Sequence, residues 1–201
     1  MVFNPNTQSR FNNDTGRTFE GRLFGTASLN PQFLLDLDKI PKNQKGRFDD
    51  RRPEIEKQVF DAFKKNYLGA SGGAGTNERG ETSMSTDLRV AVEDALGLTD
   101  ASDELKFYTS VGTAIDMDFG TDAFFELTDP KSGAIVRVKV DATLNTGKQS
   151  PKADVIINEL PDAAQEADDY LEKVDEIGSE IALMLQKRLN IEIEKRVGRR
   201  A

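Results

Sequence analysis

Residues 122–143, DAFFELTDPKSGAIVRVKVDAT, constrain the fold more than any other stretch of this chain. Two runs rich in aromatic and β-branched residues flank DPKSG (129–133). That is a tight-turn sequence, in which Asp and Ser bond nearby backbone and Gly supplies a left-handed conformation. Over 134–143 apolar and polar residues alternate, the period of a strand with one face on a core. An antiparallel hairpin follows. In such a pair the start of the first strand faces the end of the second. Pairing centred on the turn therefore sets Asp122 opposite residue 140 or 141, and Asp122 and Asp141 come to share one end of the sheet.

The flanking segments extend this hairpin into a domain. LKFYTSV (105–111) reads as a strand before it. ADVIINEL (153–160) reads as a strand after it, with a near-continuous apolar run that predicts burial on both faces. Between Arg51 and Leu68, Pro53 and the four-residue recurrence of Ile55, Val59, Phe63 and Tyr67 predict a helix. A second helix covers TDLRVAVEDALGL (86–98), capped by Ser85 or Thr86 and stopped by Gly97. From Pro161 to about Arg196, Ala167, Leu171, Val174, Gly178, Ile181, Leu185 and Leu189 draw an apolar stripe under an acidic surface. The expected class is α+β: a mostly antiparallel or mixed sheet of about four strands, flanked by helices.

Residues 1–50, rich in Asn, Thr, Arg, Gly and Asp, read as an extended or loosely ordered arm, and 51–201 as one domain. Within the arm, NPQFLLDLDKIP (30–41) carries the signals of one short helix. GASGGAGTNERGETS (69–83) reads as a linker. It lacks both the preceding strand and the GK[ST] ending of a phosphate-binding loop.

Composition narrows the chemistry. The chain has no histidine and no cysteine. This excludes Ser-His and Cys-His nucleophiles, zinc fingers, disulfide frameworks and haem attachment. Any catalysis rests on Asp, Glu, Lys, Arg, Ser, Thr or Tyr, and the cations that suit such a set are hard ones, Mg²⁺ or Mn²⁺. No apolar run reaches the roughly 20 residues of a membrane span. The start MVFNPNTQSR lacks the basic-then-apolar layout of a signal peptide, so an intracellular, cytoplasmic chain is expected. Net charge is −8, yet Lys39–Lys65 and the end KRVGRRA are basic. A solvated charged surface explains such strips as readily as nucleic acid does.

Carboxylates at the ends of neighbouring strands, followed by lysines, are what metal-assisted phosphodiester hydrolysis requires. Acids hold the cation, the cation activates water and neutralises phosphoryl charge, and a lysine positions the water. Asp122 and Asp141 are the leading candidates, and Asp116 follows. Asp118 reads as a loop residue and Glu126 as an exposed one.

The order helix, strand, GTD (120–122), turn and VDAT (140–143) resembles the PD-(D/E)xK nuclease superfamily across roughly residues 85–160. The resemblance implies a restriction-endonuclease-like fold of the kind phages and mobile elements also encode. It implies DNA as substrate and Asp122 and Asp141 as ligands of Mg²⁺ or Mn²⁺. It implies further ligation by Glu93, on the preceding helix, alongside Asp116. Thr143 stands where the family has its lysine, so Lys148 or Lys152 is expected to act catalytically from a shifted position, with Lys139 a third candidate. Only LNTGKQSPK separates Thr143 from ADVIINEL, too short for the family's crossover helix. The same features fit an inactive nucleic-acid- or protein-binding accessory or assembly protein. Its C-terminal helix would then meet a partner or a second copy of the chain.

Overall fold

The computed structural model describes residues 16–30, 53–71, 83–99, 103–144 and 152–198. The expected helix over 30–41 and most of the expected linker lie outside these residues. In chain order the elements are α1 (Gly16–Phe24), β1 (Thr26–Leu29), α2 (Pro53–Asn66), β2 (Tyr67–Ser71), α3 (Ser83–Leu96), β3 (Leu105–Thr109), α4 (Ala114–Phe119), β4 (Ala123–Thr128), β5 (Ile135–Ala142), β6 (Val155–Ile157) and α5 (Ala167–Gly198). The protein is α+β, with a four-stranded mixed sheet in the order β3-β4-β5-β6 and a separate two-stranded sheet of β1 and β2.

The hairpin has the register its sequence dictates. Ala123 pairs with Val140 and Thr128 with Ile135. Asp129 closes the turn, accepting the Ser132 N–H through its carboxylate at 2.8 Å. β3 adds antiparallel to β4, and β6 adds parallel to β5, with Val140 beside Val155. The join from 143 to 154 is about the dozen residues that a parallel connection needs at minimum. β6 is shorter than the sequence predicts, and it is not buried on both faces. It is an edge strand with Ile156 only half-buried. Arg188 of α5 anchors it, forking onto both oxygens of Asp154 at 2.7 and 2.9 Å. That pairing holds the Asp154 carboxyl below its usual range despite the opposing effect of burial.

Cores form on both faces of the sheet. Phe24, Leu88, Val92, Phe107, Phe125, Val138, Val140, Ile181 and Leu185 pack under α1, α3 and α5. On the other face Val59, Phe60 and Phe63 of α2 meet Ile115, Phe119 and Phe124. β4 therefore carries apolar residues on both sides, which explains the run AFFEL. The α3–α5 crossing is tight at Gly178. A Cβ there would lie 2.6 Å from that of Ala91, so only glycine admits this approach.

Four further expectations need correction. Residues 16–30 belong to the packed domain, not to an arm, because Phe19, Leu23 and Phe24 on one face of α1 enter the core. Residues 69–71 are part of β2, paired with β1, and not linker. Asp118, read as a loop residue, lies with Asp116 on a short helix. Thr113 caps that helix, its hydroxyl accepting the Ile115 N–H, and Gly120 ends it in the left-handed conformation (φ 57°). α5 also begins later than Pro161. Its basic end is tied to the sheet, with Arg196 donating to the Ser132 carbonyl at 3.1 Å. Among the described residues no helix is long and apolar enough to cross a membrane.

Candidate metal centre

One end of the sheet is organised by buried hydroxyls. Ser110 Oγ donates to the Thr121 carbonyl (2.6 Å), Thr113 Oγ1 to the Ser110 carbonyl (2.7 Å), and Thr109 Oγ1 to the Gly25 carbonyl (3.0 Å). These bonds fix the exit of β3, the entry to β4 and the end of α1 to one another. Asp122 sits at their centre. Its N–H donates to the Val140 carbonyl (2.9 Å), its carbonyl accepts from Ser110 N–H (2.7 Å), and its Oδ2 accepts from Ala142 N–H (2.7 Å). The residue is 1% exposed.

Three carboxylates converge there. Glu20 of α1, Asp116 of α4 and Asp122 each offer an oxygen within 4.8 Å of the others. Asp116 is held by the Gly112 N–H on its Oδ2 at 2.8 Å. Asp141 is buried next to Val140, which pairs with Ala123, and its charge also acts on Asp122. Burial pushes the Asp122 carboxyl from its ordinary 3.8 up to about 8, against the bond from Ala142; the negative charges of Glu20, Asp141 and Asp116 add to the rise. Asp122 thus keeps its proton at neutral pH while no cation is bound.

The sequence-predicted residues divide clearly. Asp122 and Asp116 come together, and Asp141 lies outside the three-carboxylate group, with its charge acting on Asp122. Glu93 is not in the three-carboxylate group. It is 2% exposed on α3 and paired there with Arg89, and its Oε2 has no hydrogen-bond partner among the described residues. Glu20 takes the place expected of Glu93. The visible signal was the apolar island around it, since Phe19, Leu23 and Phe24 fit one face of a helix. Lys148 lies outside the described residues. Lys152 runs along the backbone of Gly120, with its Cδ 3.6 Å from where a Cβ on Gly120 would stand. Lys139 is tied instead to Glu56 of α2 at 3.0 Å. Thr143 donates its N–H to the Ile157 carbonyl.

Glu126, expected to face solvent, is 5% exposed. Both its oxygens accept from Lys64 at 2.8 Å, and Oε2 also accepts from Arg137 at 2.9 Å. Arg137 lies over the Phe60 ring, 4.2 Å from its centroid. This ionic group pins α2 to the sheet.

The chain matches no protein-family model, no curated protein and no solved structure. The site's donor set consists of hard carboxylate oxygens drawn from α1, α4 and the sheet, and this fits Mg²⁺ or Mn²⁺.

Proposed function

We propose that this chain is a metal-dependent nuclease, or nuclease-like protein, of the PD-(D/E)xK and restriction-endonuclease-like kind, acting on DNA. Glu20, Asp116, Asp122 and Asp141 hold the Mg²⁺ or Mn²⁺. The observation that carries this reading is the convergence of Glu20, Asp116 and Asp122 within 4.8 Å of one another. Burying acids against acids is unfavourable unless a proton or a cation compensates. When bound, the metal supplies an activated water and neutralises charge that develops on the phosphoryl group.

The chain's own residues have separate tasks. Ala142 N–H orients the Asp122 carboxylate through its Oδ2. Gly112 N–H orients Asp116 in the same way. Lys152, laid against Gly120, supplies a positive charge beside the Gly120–Asp122 turn and takes the part of the lysine that Thr143 replaces.

DNA cleavage with Mg²⁺ or Mn²⁺, compared between the wild type and Asp122→Asn and Asp141→Ala, tests the reading. Both variants are expected to lose cleavage. A variant as fast as wild type would sink the proposal.

Thr143 favours a second reading, an inactive accessory or assembly protein that keeps the same sheet. Metal binding without any cleavage would select it. A melting temperature indifferent to millimolar metal removes the metal centre from both readings.

A further inference from the structure

The two faces of the main sheet differ in charge. The outer surface of α5 carries exposed Asp168, Asp169, Glu172, Asp175, Glu176 and Glu180 over its first half. DNA is repelled from that side. The opposite face holds α2, and α4, which carries Asp116, packs there as well, while Glu20 reaches the cluster from α1 at the sheet's end. Asp122 stands two positions from Phe124, and Asp141 two from Lys139, which puts each on the face of a residue that meets α2. On this face a cleft of about 490 Å³ opens between the last turn of α2 and strands β3 and β4. Three lysines line it, with three acids, Tyr108 and Thr128.

The charges in the cleft are not equivalent. Lys64 is consumed by Glu126 and Asp61, and Arg137 adds a second cation to Glu126. Lys65 and Lys106 are exposed and make no ion pair among the described residues. Asp103 is the remaining acid at the rim. Tyr108 forms part of the wall, stacked on Phe124 with centroids 4.9 Å apart. The cleft thus offers two uncommitted cations beside an aromatic ring and a hydroxyl. These suit a phosphate group on a nucleotide chain. Lys106 stands opposite Glu126, four residues along the chain from Asp122, or roughly 13 Å at ~3.3 Å each. That is about four phosphate steps of a duplex strand.

We infer that Lys65 and Lys106 hold backbone phosphates of the DNA whose reacting phosphodiester lies at the acid cluster, so that DNA approaches from the α2 side. The inference rests on the metal-site reading above, and one experiment separates their failures. Binding of a labelled duplex long enough to span both places is followed against salt in EDTA. The proteins compared are wild type, Lys65→Ala/Lys106→Ala, and the α5-side control Lys173→Ala/Lys187→Ala. Each lost phosphate contact removes about 0.9 from the slope of log affinity against log salt. The cleft variant is expected to lose roughly 1.8, and the control nothing. Equal slopes in wild type and the cleft variant overturn the inference, and so does absence of binding by wild type. Thermal shift with Mn²⁺ is read on the same proteins. A shift present in all three, with no effect of the cleft lysines on DNA, leaves the metal site standing alone. A lysine effect with no Mn²⁺ shift leaves the DNA surface standing and overturns the metal site.

Discussion

Asp122, at the entry to β4, and Glu126, within it, stand four residues apart, both nearly inaccessible, in opposite surroundings. Glu126 is met by Lys64 and Arg137, and its charge is answered from within the chain. The charges that act most strongly on Asp122 are all negative, from Glu20, Asp141 and Asp116. A buried acid with its own cations holds elements together. A buried acid collected with other acids stores an unfavourable interaction that a proton or an outside cation relieves. Burial and residue type are nearly the same at both positions, so the neighbours alone separate a structural carboxylate from a proposed ligand.

The largest effect is expected at the structural end. Glu126→Ala takes the buried anion from Lys64 and Arg137 and leaves them only the half-exposed Asp61, so urea denaturation should show a loss toward the lower end of about 3–5 kcal/mol. A loss below about 1 kcal/mol would mean that the pair is no more than a surface contact. Next comes the response to metal. At about a hundred times its dissociation constant, Mn²⁺ should stabilise the wild type by about 2.7 kcal/mol. Asp122→Asn should abolish that gain, while Glu126→Gln should keep it despite a lower starting stability. The contrast fails if both variants respond alike.

A smaller effect concerns pH. An acid whose carboxyl sits higher in the folded state than in the unfolded one binds its proton more tightly when folded. Stability must then fall as pH rises through that interval, here from 3.8 to about 8. Melting of the metal-free protein should accordingly decline toward the upper end, and Asp122→Asn should flatten the decline. An unchanged slope in that variant would place the titration elsewhere. The smallest expected change is at Lys139, which shares the face of Asp141 but pairs with Glu56. Lys139→Ala should cost about 1 kcal/mol or less and leave the Mn²⁺ response intact. Loss of the response would bring Lys139 into the site.

The sheet was legible where local signals agree. The DPKSG turn and the alternation after it specify one register, and that register sets Asp122 beside Asp141. α3 and α5 were legible from their apolar stripes. What escaped depends on tertiary contacts. β2 forms from Tyr-Leu-Gly-Ala-Ser because β1 offers it a partner, and neither strand has a pattern of its own. α4 has only six residues and is set by its two caps. Glu126 looked exposed because nothing near it in sequence reveals Lys64 or Arg137. Glu20 lies in a segment whose polar composition hides three core residues, and the glutamate on the helix before the hairpin is engaged by Arg89.

The anchoring of α1 has a consequence for how the molecule assembles. Glu20 and Asp122 are about a hundred residues apart in the chain, so their meeting closes a long loop, a slow kind of contact to form. The carboxylate group is whole only when α1 is docked against the end of the sheet. A cation shared by Glu20 and Asp122 would act as a removable cross-link across that loop. Amide hydrogen exchange in Gly16–Phe24 should then slow more on metal binding than exchange in β4. Docking of α1 and completion of the site would thus be one and the same event.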